Sequence, residues 1–143
     1  MHCDWRFAAD DARLGQPEIK IGFFPPIAAT QALVRLIGRP RAIRYLNEGR
    51  LLPAPEALAW GLVDEIVPAA ELRARVQAYA VDLAAKPAPA LAAVRRLVTL
   101  GGGASFEEGM AMELEAAAAI AETADFKEGV SAFLEKRAPK WET

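Results

Sequence analysis

The spacing of apolar residues changes character near residue 28. Before it, Cys3, Trp5 and Phe7 alternate with other residues and predict a short strand over residues 3–9. Ile19, Ile21 and Phe23 alternate too, and predict a second short strand. Gly15, Pro17, Gly22, Pro25 and Pro26 punctuate this region and exclude a long helix. From Ala28 onward the period is helical. Ala29, Leu33, Leu36 and Ile37 share one face, with Gly38 placed to cap it. Pro40 opens a second helix with Ile43 and Leu46 inward and Gly49 as its stop. Pro55 starts a short helix ending at Gly61, and residues 62–67, closed by Pro68, read as a strand. Leu72, Val76, Tyr79 and Leu83 mark a longer helix stopped by Pro87, and Leu91, Val94 and Leu97 another, stopped by Gly101–Gly103. Ser105 and Glu108 have the spacing of a capping box, opening a helix with Met110, Leu114 and Ala117 inward. Asp125 and Glu128 repeat that spacing before a last helix with Val130, Phe133 and Leu134 on its apolar side. Lys136 and Arg137 fall in its final turn, where cations suit the helix dipole. The pattern is a small β-containing front followed by a mostly helical body.

Composition narrows the function classes. The 143 residues fit one domain with a real core, and 53% hydrophobic with 25% charged residues is a folded composition. A net charge of −2 excludes the basic surplus of a nucleic-acid binder, so no nucleic-acid partner is expected. Charges interrupt every apolar run well before the ~20 residues of a membrane span, so no membrane partner is expected either. Asp4 breaks the start, and no apolar leader segment follows it. One cysteine makes no internal disulfide and fits a reducing, cytoplasmic setting. One histidine and one cysteine are too few soft ligands for a usual zinc site, so no metal is expected.

Familiar catalytic arrangements are mostly absent. His2 has no nearby serine and acid, and at the chain end a solvated bystander is the simpler reading. Cys3 alternates onto an apolar face and reads as a small buried hydrophobe. The triple glycine lacks the order of a phosphate loop. Glu18 stands out: a carboxylate behind Pro17 between two apolar segments, where burial would raise its pKa and fit it for proton transfer. On residues alone a solvated turn glutamate is the simpler reading.

Four stretches change that weighting. Cys3 through Gly22 resembles the crotonase (enoyl-CoA hydratase/isomerase) signature C-D-x-R-x-A-x-x-A-x-F/L-G-Q-P-E-x-x-x-G. Pro25, Thr30, Gln31 and Leu36-Ile37-Gly38-Arg39 resemble the stretch that follows it in the family. Ala54 through Asp64 resembles A-x-E-A-L-x-x-G-L-V-N/D. Thr123, Asp125, Lys127 through Gly129, Ala132 through Arg137 and Pro139 resemble its C-terminal motif. The resemblance implies an α/β fold, the C-terminal part of the ClpP/crotonase-like ββα spiral, mostly α with a few short N-terminal strands. Residues 1–68 would end the spiral core and wall the acyl pocket, and residues 69–143 would form a helical trimerisation region.

The resemblance also implies chemistry: reversible addition of water to a 2-enoyl-CoA thioester, with CoA part of the substrate and no separate cofactor. Glu18 matches a catalytic glutamate that moves a proton at the carbon next to the thioester carbonyl or activates water. Pro17, Ile21, Pro25 and Pro26 would line the acyl pocket, and Lys136 matches a lysine that reaches CoA phosphates. The expected partners are an acyl-CoA thioester and further copies of the chain, as a trimer or hexamer. An enoyl-CoA isomerase needs one carboxylate and stays open, as does a non-catalytic helical interaction remnant. The family's second catalytic glutamate and its oxyanion-hole donors lie ahead of the Cys-Asp pair, so the chain is expected to be a C-terminal half, inactive alone. Pro26-Ile27-Ala28-Ala29 replaces the family's Gly-Ala-Gly-Gly, and Gln16 through Ala29 resembles the cyclic dienoyl-CoA hydratase branch.

Overall fold

The structure, a computed structural model, describes residues 1–142 and divides into two units, one from Met1 to Ala78 and one from Tyr79 onward.

In the first unit four three-residue strands pair in twos. β1 (Phe7–Ala9) lies parallel to β4 (Glu65–Val67), with Ala8 opposite Ile66. β2 (Arg13–Gly15) lies antiparallel to β3 (Leu51–Pro53), with Leu14 opposite Leu52. Pairs this short are not stable by themselves. Helices α1 (Ala29–Glu48) and α2 (Ala54–Trp60) supply the apolar mass. Ala29, Leu33 and Ile37 from the first half of α1, Ala42 and Tyr45 from its second half, and Leu52, Ala57, Leu62 and Val63 form one buried cluster. Gly38 breaks α1 at φ +75°, ψ 160°, and Pro40 restarts it. The first unit is also tied electrostatically. The Arg6 guanidinium pairs with Asp64 at 2.9 Å, and the Arg6 backbone N–H donates to the same carboxylate at 2.8 Å.

Several expectations for this unit need correction. The strand over residues 3–9 is confined to Phe7–Ala9, and Cys3 is exposed rather than buried. Ile19, Ile21 and Phe23 are not on a strand: Glu18–Ile21 is a 3-10 turn, closed by Gly22 at φ +73°. Pro17 and Gly22 leave only four residues between them, too few for alternation to distinguish a strand from a tight turn. Ile43 is exposed, and the inward face of the second half of α1 carries Ala42 and Tyr45, because the break at Gly38 rotates the apolar stripe.

α3 (Leu72–Ala84) contains the boundary between the units. The second unit continues with α4 (Ala88–Gly101), α5 (Phe106–Ala121) and α6 (Ala124–Glu135). The Ser105–Glu108 capping box forms as expected, with both reciprocal hydrogen bonds present. The last helix is capped differently: Thr123 Oγ1 accepts from the Phe126 N–H, whereas Asp125 is buried and accepts from the Glu142 N–H at 2.7 Å. Glu128 accepts from Arg137 and from the Lys140 N–H, and Trp141 lies against Gly129, so the tail folds back along α6. Met110, Leu114 and Ala117 are exposed, and the half-buried side of α5 is Gly109, Met112, Ala116 and Ile120. A helix this rich in alanine is apolar on most sides, so spacing does not select one face. Val94, Val130, Phe133 and Leu134 are exposed too. No described helix is long and apolar enough to cross a membrane.

Candidate active site

β2 leads directly into the turn that carries Glu18. A Cβ at Gly15 would come within 2.3 Å of Leu51 Cδ2 on the paired strand, so a larger residue there would have to displace the exposed Leu51 side chain. Pro17 then precedes the 3-10 turn, and Glu18 is its first residue. The turn is fastened by N–H groups of Gly22 and Phe23 donating to the Glu18 carbonyl. It rests on the end of α1, where Gly49 takes φ +54° and a Cβ would lie 2.7 Å from Ile19 Cγ2. Glu18 therefore sits on a backbone held from both sides.

Glu18 is half-buried, and its Oε2 is sealed from solvent with no hydrogen-bond partner. An orphaned, buried carboxylate oxygen is costly in a folded chain and is characteristic of functional positions. Tyr45 lies nearby, 2% exposed. Its pKa is pushed up to about 12, first by burial, then by the charge of Glu18, with Arg50 opposing. The Tyr45 ring meets Trp60 edge-on at 6.4 Å, and the Arg50 guanidinium lies 5.5 Å over the same indole. Arg50 is in turn held by Glu48 and Glu56. Tyr45, Gly15 and Gln16 border a cavity of about 450 Å³ that also touches Arg6 and Arg13.

The other expected site residues fall as follows. Pro17 and Ile21 share the turn with Glu18, and Ile21 is 82% exposed. Pro25 is buried and Pro26 exposed in the connection to α1. This segment presents Ile21, Phe23, Phe24 and Ile27 outward, with the two phenylalanine rings stacked at 5.2 Å. Ala28 ends it at φ +54°, a left-handed conformation in a non-glycine residue. Lys136 belongs to the second unit, where it is the exposed left-handed C-cap of α6. Among the described residues no group of three or more histidine, cysteine or carboxylate side chains could hold a metal ion. Residue spacing alone did not single out Tyr45. Its signal was the i, i+3 relation to Ala42, hidden by the break at Gly38.

The family described as enoyl-CoA hydratase/isomerase matches residues 1–143. The chain belongs to this family. A probable enoyl-CoA hydratase of Mycobacterium tuberculosis is 38% identical over 141 residues, covering 99% of this chain and 55% of that protein. The crotonyl-CoA hydratase of Syntrophomonas wolfei is 36% identical over 137 residues, 96% of this chain and 53% of that protein. Among solved structures, an enoyl-CoA hydratase of Geobacillus kaustophilus superposes with a TM-score of 0.95 at 37% identity, covering 98% of this chain and 53% of that one. The fold is the crotonase fold, represented by its C-terminal part, and the chain spans about half the length of the curated relatives it matches. Crotonase motifs account for one of the contacts above: Arg6 and Asp64, whose ion pair lies just ahead of β1 and β4, come from two separate motif stretches.

Proposed function

We propose that this chain supplies the proton-transferring carboxylate and one acyl-pocket wall of an enoyl-CoA hydratase. The observation that carries the reading is Glu18, on a braced turn, with one carboxylate oxygen sealed and unpartnered. Addition of water across a 2-enoyl thioester passes through enolate-like charge on the thioester oxygen. Glu18 delivers the proton to the adjacent carbon, or in the reverse direction removes it. A positioned acid/base of this kind contributes roughly 10²–10⁴-fold. The charge on the oxygen needs backbone N–H donors, each worth about 2.7–4 kcal/mol of barrier. The resemblance assigns those donors to a segment ahead of Cys3, so turnover requires the counterpart of the relatives' N-terminal half.

The exposed Ile21, Phe23, Phe24 and Ile27 suit an acyl chain, and Pro17, Pro25 and Pro26 fix the path of that wall. Lys136 is assigned to the CoA phosphates as a point charge. The working form is a trimer or hexamer in the cytoplasm. The exposed apolar surface of the second unit supports the assembly, and a free Cys3 suits a reducing compartment. The same surface also favours a second reading, a non-catalytic helical module that associates with full-length relatives.

Complementing the chain with the N-terminal half of a relative, and following loss of the enoyl thioester, tests the reading. Glu18→Gln is expected to lower kcat by about 10² or more. A comparable loss from Asp64→Asn or Glu65→Gln, with Glu18→Gln active, would overturn it.

A further inference from the structure

The turn that ends α6 holds a lysine in a conformation that lysine does not favour. Lys136 takes φ +54°, ψ 40°, at the left-handed position where helices mostly use glycine. A side chain is strained there, and such strain persists only where the surroundings over-determine it. The surroundings here are specific. The N–H groups of Lys136 and Arg137 donate to the carbonyls of Phe133 and Ala132 at 3.3 and 3.0 Å. The Arg137 guanidinium then forks back along α6 onto Glu128, Nη1 to Oε1 at 2.6 Å and Nη2 to Oε2 at 2.9 Å. Its Nε donates to Glu135 at 2.7 Å, and Glu135 also accepts from Ser131 Oγ at 2.9 Å. The Lys140 N–H donates to Glu128 at 2.8 Å, so the chain beyond the turn is tied to the same carboxylate. Lys136 sits between these anchors, exposed, and pairs with no carboxylate among the described residues. Arg137 occupies both Glu128 and Glu135, which keeps them from neutralising the Lys136 ammonium.

We propose that Glu128 is a positioning residue: through its forked pair with Arg137 it fixes the left-handed turn that presents Lys136 to the phosphates of an acyl-CoA substrate. This rests on the reading of Lys136 as the phosphate-binding lysine. A planar guanidinium on a carboxylate holds direction as well as distance, which a point charge does not. The pair stays charged through the neutral range, because Arg137 and the Lys140 N–H hold the Glu128 carboxyl down to about 2. Without the fork, the turn and Lys136 must be ordered at the moment of binding. That weakens substrate binding and leaves the chemical step alone.

In the chain as it stands, Lys136→Gly releases the strain and is expected to raise the thermal midpoint by about 2–4 °C. A midpoint that does not rise would overturn the proposal, since nothing would then be held against local preference. In the complemented enzyme, Lys136→Ala is expected to raise KM for the acyl-CoA about tenfold. Glu128→Gln, and Arg137→Lys as a second variant, are expected to raise it about threefold or more with kcat within about twofold. The corresponding acyl-pantetheine thioester, which lacks the phosphates of CoA, should show no such rise. Glu128→Gln should also add little to Lys136→Ala, because the two act through one contact. A purely structural role would raise KM for both thioesters or add fully to Lys136→Ala, and either result would overturn the proposal. The two ideas fail separately. An unchanged KM for Lys136→Ala sinks the reading of Lys136 and the clasp with it, whereas a raised one beside an unaffected Glu128→Gln enzyme sinks only the role of Glu128.

Discussion

Replacing Ala28 by glycine is expected to stabilise the first unit. Ala28 takes φ +54°, ψ 12° immediately before α1, where an L-residue crowds its own Cβ against the following carbonyl. That conformation costs about 1–2 kcal/mol relative to glycine. It persists because the backbone is over-determined: the Ala28 carbonyl accepts from Gln31 at 3.1 Å and Ala32 at 2.9 Å, and its N–H donates to Pro26 at 3.0 Å. The methyl group is exposed, so removing it forfeits little burial. Glycine adds freedom to the unfolded chain, worth about 0.5–1 kcal/mol against it. The net gain is therefore about 0.5–1 kcal/mol, or roughly 2–4 °C in Tm. Far-ultraviolet circular dichroism during thermal unfolding, at fixed protein concentration so that association does not move the midpoint, measures it. Ala28→Val serves as the opposite control, because a branched side chain is less tolerant of this region. An Ala28→Gly protein no more stable than the parent, together with a harmless Ala28→Val, would refute the argument.

Three further outcomes follow from the same geometry. Gly49→Ala combines a positive φ with a Cβ 2.7 Å from Ile19 Cγ2 and is expected to cost about 2 kcal/mol, read as a lower urea midpoint at unchanged slope. Arg137 and the Lys140 N–H hold the Glu128 pKa down, from 4.5 to about 2. The stability it contributes is present above about pH 4.5 and lost as the pH falls through 2, so Glu128→Gln should flatten the stability–pH curve in that window, and an unchanged slope there would count against the pairing. Sedimentation equilibrium at micromolar concentration should find a trimer or larger species, since Phe106 and Phe133 are 86% and 83% exposed in the single chain, and a lone monomer would contradict the assembly.

The helices were legible from the sequence because their stops are chemical. Gly49 and Gly61 both take the left-handed conformation that glycine favours, and Pro40 and Pro55 sit in first turns. β2 and β3 were not legible. Three residues carry no period, and their partner strand lies far along the chain, with Gly15 opposite Leu51. The outward faces of α5 and α6 were misjudged because apolar spacing reports what is to be covered, not whether the covering partner is another part of the same chain. For the site, the residues alone left Glu18 ambiguous, and the family motif singled it out. The sealed, unpartnered Glu18 oxygen became visible only in the folded chain. The prolines proposed for the acyl pocket had a local signal, rigid spacing around Glu18. Lys136 had none beyond its motif.

The central claim is that Glu18 moves the proton at the carbon next to the thioester carbonyl. Incubating the complemented enzyme with a 3-hydroxyacyl-CoA in heavy water, and following deuterium at that carbon by mass spectrometry, tests it without depending on which acyl group is preferred. The account predicts incorporation that Glu18→Gln slows by about 10² or more. Incorporation at the parent rate in the Glu18→Gln protein would contradict it.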